Sequence, residues 1–157
     1  MKCAVCGGPT TKVKELKQAR YRDEVVQVAT ELYRCDSCHE GFVTPQQMRA
    51  HSRAVKNEVR KRNGLLPPEK IAAIRERLGL TQAELEDALG TGPKMVVRWE
   101  SGKVIQSRGH DNMLRLLHRD PSLLASLQQV KRIRSREQKK YSGALSQVSP
   151  ADEAVSS

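Results

Sequence analysis

Aromatic residues are scarce in this chain: they make up 3% of its 157 residues, with a single Trp and a single Phe. One large core built on aromatic side chains is therefore not expected. Two small units, one of them stabilised by an additional cross-link, fit the composition better. The chain also lacks any apolar run that approaches the ~18 residues of a membrane span. Its N-terminus, Met1-Lys2-Cys3, does not lead into the apolar segment of a signal peptide, which predicts a cytoplasmic protein.

Acidic residues are outnumbered: 18 Asp and Glu stand against 28 Lys and Arg, which gives a formal net charge of +10 and a sequence pI of about 9.8. A balance this basic favours a polyanionic partner, with nucleic acid as the first candidate and an acidic membrane as the second. Binding to nucleic acid would weaken as salt is added, because binding releases counterions from the phosphates. The alternative is a well-solvated basic surface without such a partner.

Cysteine is limited to four residues, which form two Cys-x-x-Cys pairs, Cys3 with Cys6 and Cys35 with Cys38. In a cytoplasmic protein such thiols are more typical of metal ligands than of disulfides. Zinc takes four thiolates at the corners of a tetrahedron, and a gap of two residues lets one tight turn present two sulfurs to the same ion. A saturated site of this kind is structural, so we expect one structural Zn2+ per chain. Redox-active or unpaired cysteines are the alternative.

Two histidines, His39 and His51, are alternative metal ligands. His39 is more typical of a turn residue, and His51 of a solvated residue on a helix. The separation of the two cysteine pairs exceeds the ~15–20 residues usual for such sites. A hairpin between the pairs accommodates this spacing, because its two ends return to the same place.

The segment between the cysteine pairs has the pattern of a small antiparallel sheet. Glu24 to Cys35 is rich in β-forming residues with period two, and Lys12 to Leu16 is a weaker strand facing it. Lys17 to Asp23 is predicted to form the turn. The stretch from Val25 to Leu32 is either an edge that accepts a strand from a protein partner or part of the core.

A basic helix follows the cysteine segment. Thr44-Pro45-Gln46-Gln47 supplies Thr as N-cap, Pro at the first helical position and Gln at the third, and predicts a helix that runs to about Arg62. Asn63-Gly64 ends this helix, and Pro67-Pro68 interrupts the chain again. This combination predicts a domain boundary.

Beyond this boundary the sequence predicts five short helices. They are Pro68 to Leu78, a helix that begins with the capping box Thr81 to Glu84, Pro93 to Glu100, Asp111 to His118, and a helix that begins after Asp120-Pro121. Gly90-Thr91-Gly92 forms the turn between the second and third. Two short helices around a glycine turn are what a DNA-reading helix-turn-helix requires, with the second of the two in the major groove.

The third helix is predicted to dock through Val96 and Trp99, so that Trp99 is a core residue. The candidate DNA-contacting residues are Thr81, Gln82, Lys94, Val97, Arg98 and Ser101. Arg98 can bind guanine O6 and N7 bidentately, which is worth about 1–3 kcal/mol of discrimination. Thr81 and Gln82 would lie near backbone phosphates. For Lys94 and Arg98 an ordinary solvated face is the alternative.

Several runs of sequence carry a resemblance to a known family. They are Met1-Lys2-Cys3-Ala4-Val5-Cys6-Gly7-Gly8, Tyr33-Arg34-Cys35-Asp36-Ser37-Cys38-His39-Glu40, Leu80-Thr81-Gln82-Ala83-Glu84, the stretch from Gly90 to Lys103, Leu114-Arg115-Leu116-Leu117 and Pro121-Ser122-Leu123-Leu124. With these runs in this order the chain resembles the MqsA-type antitoxins. Such proteins join an N-terminal zinc domain of the YgiT type to a C-terminal helix-turn-helix of the Xre class. The resemblance covers roughly residues 1–127.

The resemblance implies a zinc-containing antitoxin of a type II toxin–antitoxin system. The four cysteines would bind one zinc, and the N-terminal domain would bind and neutralise a partner toxin, typically one that cleaves RNA. The C-terminal domain would form a homodimer, bind a palindromic operator in double-stranded DNA and act as a repressor of its own operon.

Other functions stay open at this point. A stand-alone regulator of transcription with the same architecture, a structural zinc domain and no toxin partner is the main alternative. An enzyme is not expected, because the metal site is saturated and no catalytic constellation stands out. A zinc-ribbon-like RNA-binding module is a weaker interpretation, and no membrane partner is expected.

Three features depart from the family pattern. Lys94 stands where Asn is frequent, and His39 stands where Gly is common. A basic segment, Lys131 to Lys140, lies beyond the usual end of the family. This segment could add phosphate contacts, extend a dimer helix or remain a solvated helix.

Together these patterns predict a mainly α protein with a small β zinc domain: an N-terminal zinc-bound β-hairpin or sheet and a C-terminal five-helix helix-turn-helix domain. The predicted segments are a four-cysteine zinc domain at 1–43, a basic helix and linker at 44–64, the helix-turn-helix domain with its basic C-terminal helix at 65–140, and a disordered tail at 141–157. The tail is small, polar and weakly acidic, which is typical of disorder.

Overall fold

Residues 1–145, which a computed structural model describes, form one sheet and six helices. The three strands are β1 (Thr10–Tyr21), β2 (Glu24–Cys35) and β3 (Gly41–Phe42). The helices are α1 (Pro45–Arg62), α2 (Pro68–Arg77), α3 (Gln82–Leu89), α4 (Met95–Glu100), α5 (Arg108–Arg119) and α6 (Leu123–Leu145). The predicted class, mainly α with a small N-terminal β unit and five C-terminal helices, is confirmed.

The sheet is antiparallel, with strand order β1-β2-β3. β1 and β2 pair from Thr10 opposite Cys35 to Tyr21 opposite Glu24, so the turn contains only Arg22 and Asp23. The predicted turn at Lys17 to Asp23 was too long. The C-terminal part of β1 is hard to recognise in the sequence. β1 is an outer strand, and its polar, solvent-facing residues hide the period-two pattern.

The sheet is closed on one face by α1. Alternate residues of β2, from Val26 to Leu32, are buried, and Val55 and Val59 of α1 pack against Val26 and Val28. The interpretation of this part of β2 as core is therefore confirmed for its inward side chains. The segment predicted as a basic helix and linker, 44–64, contains the helix α1, which packs as a layer of the N-terminal unit.

The capping box that predicted the start of α1 is present. The amide of Gln47 donates to Thr44 Oγ1 at 3.2 Å, and the amide of Thr44 donates to Gln47 Oε1 at 2.8 Å. These reciprocal bonds satisfy two of the amides that a helix N-terminus leaves without intrahelical partners. The helix ends at Arg62, as predicted.

The five C-terminal helices surround a second core. Trp99 is 1% exposed at its centre, which confirms its predicted core role. The buried members of this core are Ile71, Ile74, Leu85, Leu89, Val96, Trp99, Leu114 and Leu117. They come from α2, α3, α4 and α5, so burying them fixes the two helices of the helix-turn-helix against their supports.

Helix boundaries differ from prediction at three places. α4 begins at Met95 rather than Pro93, because Lys94 adopts a left-handed backbone with φ of +62°. α5 begins at Arg108, three residues early, because Ser107 caps it through the amide of His110 at 3.2 Å. α6 continues to Leu145, so residues 141–145 of the predicted tail are helical. The rest of that tail, 146–157, lies outside the described residues.

A buried arginine joins the N-terminal unit to the helix-turn-helix. Arg60 of α1 is 1% exposed, and its guanidinium donates to the carbonyl of Val104 at 2.6 Å and to Asn57 Oδ1 at 3.0 Å. Burial lowers the pKa of Arg60, but these oxygens compensate the buried charge. Ile105 packs into the N-terminal core beside it. The two units therefore share a packed, hydrogen-bonded contact.

Candidate metal centre and nucleic-acid interface

The four cysteines meet at one end of the hairpin. The Sγ atoms of Cys3, Cys6, Cys35 and Cys38 all lie within 4.8 Å of one another. Cys3 Sγ is 3.6 Å from Cys38 Sγ, and Cys6 Sγ is 3.4 Å from Cys35 Sγ. The predicted convergence of the two pairs is confirmed, and the cluster could hold a metal ion.

Strand register produces this convergence. Thr10 pairs with Cys35 at the end of the hairpin, and an isolated bridge between Lys2 and Pro9 folds the N-terminus back beside it. Gly8 lies so close to the second pair that a Cβ there would stand 2.7 Å from Ser37 Oγ and 3.3 Å from Cys6 Sγ. A glycine at this position therefore lets the two turns approach each other.

The two cysteine turns have the same backbone geometry. The amide of Gly7 donates to the carbonyl of Cys3, and the amide of His39 donates to the carbonyl of Cys35, both at 3.0 Å. Both donors have left-handed backbones, with φ of +73° and +60°. His39 is thus a turn residue, as its sequence context indicated. A residue without a Cβ would adopt this conformation with less strain.

The second histidine candidate, His51, lies elsewhere. Its Nδ1 is 2.8 Å from Thr30 Oγ1, where α1 packs on the sheet. The prediction that His51 is a solvated helix residue was wrong, because the ring is half-buried against β2. Among residues 1–145, neither histidine belongs to the metal-ligating cluster.

The thiols strongly influence one another. The amides of Cys38 and Ser37 donate to Cys35 Sγ. Together with the thiols of Cys6 and Cys38, and against the effect of burial, they lower the pKa of Cys35 to about 6. The amide of Glu40 lowers the pKa of Cys38, but the Cys6 thiol, burial and the other two thiols outweigh it and raise that pKa to about 12. Four thiolates at this separation repel one another unless a cation lies among them.

In the helix-turn-helix, α3 begins as predicted. The amide of Glu84 donates to Thr81 Oγ1 at 3.2 Å, and Glu84 Oε2 accepts from the Thr81 amide at 2.7 Å. The hydrogen bond from this amide lowers the pKa of Glu84. The Thr81 hydroxyl also donates to Glu84 Oε2, so this predicted phosphate contact is engaged in the helix cap. Gly90 ends α3 with φ of +65°.

A buried carboxylate, which sequence reasoning missed, positions α4. Glu86 of α3 is 9% exposed. Its two carboxylate oxygens accept the amides of Lys94 and Val96, both at 3.0 Å. α4 has no side-chain N-cap of its own, and Glu86 satisfies these amides from the preceding helix. The only sequence signal was the missing Ser, Thr, Asp or Asn before α4.

An ion pair holds the other end of α4. Arg75 of α2 donates to Glu100 through Nε at 2.6 Å and Nη2 at 3.1 Å. Gln82 Nε2 also donates to Glu100, at 2.7 Å. The hydrogen bond to Glu100 raises the pKa of Arg75. Gln82, predicted near a phosphate, therefore has its amide nitrogen bound to α4.

The remaining predicted DNA contacts form an outward patch. Val97 and Arg98 are exposed on α4, opposite the buried Val96 and Trp99. In the described part of the chain, the Arg98 guanidinium has no hydrogen-bond partner. Lys94 is exposed but lies at the N-cap rather than on the helix, which corrects its predicted place. Ser101 is half-buried, and its hydroxyl donates to the carbonyl of Arg98 at 3.3 Å.

Basic residues of α1 border this patch, an arrangement that the sequence did not predict. The cleft between α1 and the end of α4 is lined by Arg49, Ser52, Arg53, Lys56, Ser101, Gly102 and Lys103. Gly102 permits the close approach, since a Cβ there would lie 3.3 Å from Arg53 Cγ. The contact puts positive charge from both units on one surface.

Known proteins resemble this chain over most of its length. Within residues 1–145 we find no helix with the length and apolar character needed to cross a membrane. Residues 1–128 match the family model of MqsA, the antitoxin component of a bacterial toxin–antitoxin system. The chain is also 30% identical over 128 residues to the antitoxin MqsA of Escherichia coli strain K12, an alignment that covers 79% of this chain and 97% of that protein. The chain therefore belongs to the MqsA family of antitoxins.

Proposed function

We propose that this chain is a zinc-containing antitoxin of a type II system, which neutralises a partner toxin and represses its own operon as a DNA-bound homodimer. The observation that carries the DNA-binding part is the exposed Arg98 on a helix whose two ends are held by Glu86 and Glu100. The protein acts in the cytoplasm, where its operon lies, and has no enzymatic activity of its own.

Zinc is the metal that best suits the cysteine cluster. With Zn–S bonds of about 2.3 Å, the edges of a regular tetrahedron of sulfurs measure about 3.8 Å. Two of the sulfur pairs, at 3.4 and 3.6 Å, lie close to that value, and all four sulfurs lie within 4.8 Å of one another. A set of four thiolates favours zinc over harder cations, and it leaves no position open for catalysis.

Removing one ligand should release the metal. We expect Cys35→Ser to lose bound zinc and to loosen the cysteine end of the hairpin, because three remaining sulfurs bind far more weakly and metal binding contributes to folding. Elemental analysis of the purified protein measures zinc per chain, and circular dichroism follows the sheet. Ser37→Ala, in the same turn, is the matched control and should keep one zinc. Stoichiometric zinc in Cys35→Ser would refute the ligand set.

The DNA-reading surface is supported by position and charge. α4 follows α3 across a glycine-containing turn and presents Val97 and Arg98 outward, as a recognition helix must. The α1 cleft beside it, with Arg49, Arg53 and Lys56, supplies positive charge where adjacent phosphates would lie. Arg98 would read a guanine, while Lys94 and the α1 residues would contact the backbone.

Arg98→Ala should weaken binding to the operator much more than binding to unrelated DNA. For a duplex from the promoter of its own operon, we expect affinity to fall about tenfold to a hundredfold, which corresponds to about 1–3 kcal/mol. Binding to a random duplex should change little, because only one positive charge is lost. Arg119→Ala, at an exposed position on α5, is the charge-matched control. Fluorescence anisotropy measures both affinities, and an equal loss on both duplexes would remove Arg98 from base recognition.

A homodimer is supported by an apolar groove between α5 and α6. Leu116 is 54% exposed and Val130 is 50% exposed, which is unusual for large apolar side chains in a contiguous patch. The groove is lined by Met113, Leu116, Leu117, Leu123, Ser126, Leu127 and Val130. A two-fold axis through such a patch would pair it with itself and match a palindromic operator.

A charge in this groove should produce monomers. We expect Leu116→Glu to lower the mass measured by light scattering from that of a dimer to that of one chain, because pairing would bury two carboxylates without partners. Met48→Glu, at an exposed position on α1, is the control and should leave the mass unchanged. A Leu116→Glu protein that stays dimeric would place the interface elsewhere.

The toxin-binding surface is proposed to be the open face of the hairpin. α1 covers one face, whereas Leu16 is 72% exposed on the other, opposite Ala29. β1 is also the outer strand of the sheet and offers a free edge for strand addition. This face of the sheet is turned away from α1, whose basic residues line the cleft beside α4, so one chain can bind both partners.

Leu16→Glu should therefore prevent neutralisation of the toxin and leave DNA binding unchanged. When it is co-expressed with the toxin gene of its operon, we expect growth arrest to persist, because a buried carboxylate would weaken the complex by about tenfold or more. Binding to promoter DNA should stay at the unsubstituted level, which serves as the internal control. If the unsubstituted chain itself relieves no arrest by a neighbouring gene product, the stand-alone regulator replaces the antitoxin proposal.

A further inference from the structure

The middle of α6 carries a concentrated positive charge beyond residue 128, where the match to the family ends. Ten residues, 131–140, contain six basic side chains and one acidic one, Glu137. They account for half of the net charge of +10. The basic members are Lys131, Arg132, Arg134, Arg136, Lys139 and Lys140.

Most of these charges lie on one side of the helix. Arg132, Arg136, Lys139 and Lys140 follow the spacing i, i+4, i+7 and i+8, which aligns side chains along one helical face. All four are exposed, and within residues 1–145 none of them forms an ion pair. They span about 12 Å of helix axis, at 1.5 Å per residue. A face of this length can reach more than one phosphate of a nucleic-acid strand.

The side of α6 roughly opposite Arg132 and Arg136 is apolar in the first turns of the helix and forms the groove with α5. Leu127 and Val130 line that groove. If the groove pairs with a second copy, the apolar side is buried and the basic side is left facing solvent. Insertion into a bilayer would require the apolar side to be free. The arrangement therefore favours a polyanion in solution over a membrane.

The basic face starts beside the DNA-reading unit. Lys131 forms an ion pair with Asp87 of α3, the first helix of the helix-turn-helix. The cleft at this point is lined by Asp87, Gln128, Lys131, Arg132, Ser135 and Arg136. Since Asp87 neutralises Lys131, the charge available to a partner begins with Arg132. From there α6 extends the positive surface away from the helix-turn-helix core.

We propose that the basic face of α6, formed by Arg132, Arg136, Lys139 and Lys140, binds the phosphate backbone of DNA. This inference rests on the proposed DNA-binding function and adds a contact that carries no sequence information. Its role is to raise affinity for any duplex and to slow dissociation from the operator.

The test uses the full-length zinc-loaded protein and a 30-base-pair duplex of random sequence. In one variant, Arg132→Gln, Arg136→Gln, Lys139→Gln and Lys140→Gln are combined, because glutamine removes the charge and keeps a good helix propensity. The control combines Lys14→Gln, Lys17→Gln, Arg20→Gln and Arg22→Gln on the hairpin, which removes the same charge elsewhere. Circular dichroism checks that both variants keep their helix content.

Each phosphate contact contributes about 0.9 to the slope of log affinity against log salt concentration. We expect the α6 variant to reduce the magnitude of this slope by about 3 to 4 and its affinity by about tenfold or more, while the hairpin control changes little. Equal slopes for the two variants would overturn the inference and leave the proposed function intact. Failure of the unsubstituted protein to bind any duplex would instead refute the proposed function.

A second experiment distinguishes binding to DNA from binding to a membrane surface. Vesicles of phosphatidylglycerol and phosphatidylcholine are titrated with the same three proteins in a co-sedimentation assay. We expect no binding at a salt concentration where the random duplex is bound. Vesicle binding by the unsubstituted protein that is lost in the α6 variant, with duplex binding unchanged, would assign the basic face to lipid and overturn the proposal.

Discussion

The buried carboxylate of Glu86 is the contact on which the geometry of the helix-turn-helix depends. α4 is only six residues long, so a large share of its amides and carbonyls lack partners within the helix. Lys94, at its N-cap, adopts a left-handed backbone and supplies no capping oxygen. Glu86 accepts two of these amides from inside the fold. The direction of Arg98 therefore depends on a residue that faces away from the solvent.

The opposite end of α4 is fixed by charge. Glu100 binds the guanidinium of Arg75 and the amide of Gln82 at a site where the Arg75 and Glu100 side chains are 15% and 10% exposed. Partial burial strengthens such an ion pair relative to one at the surface, provided that its hydrogen bonds are made. With both ends held, the core residues Val96 and Trp99 orient α4, and its exposed residues become a preformed surface.

The N-terminal unit combines two different sources of order. At one end, four cysteine side chains converge into a cluster that could hold a metal ion. At the other, α1 packs valines on β2 and inserts Arg60 between the two units. The cysteine cluster and the packed helix therefore lie at opposite ends of a hairpin that is too small for a large core of its own. Because α1 contacts both units, positive charge from the first unit lies beside the end of α4 in the second.

The sequence alone determined the features that depend on neighbouring residues. The capping boxes at Thr44 and Thr81, the two cysteine pairs and the apolar spacing around Trp99 each fit within a few turns of chain, where backbone geometry fixes which atoms can meet. Tertiary structure decided the rest. The Glu86 cap joins residues 8 and 10 positions apart. The Gln82–Glu100 bond and the bond from the buried Arg60 to Val104 span 18 and 44 positions. Such contacts exist only after the helices have packed, because no local pattern specifies which polar side chain will face an unsatisfied amide or carbonyl.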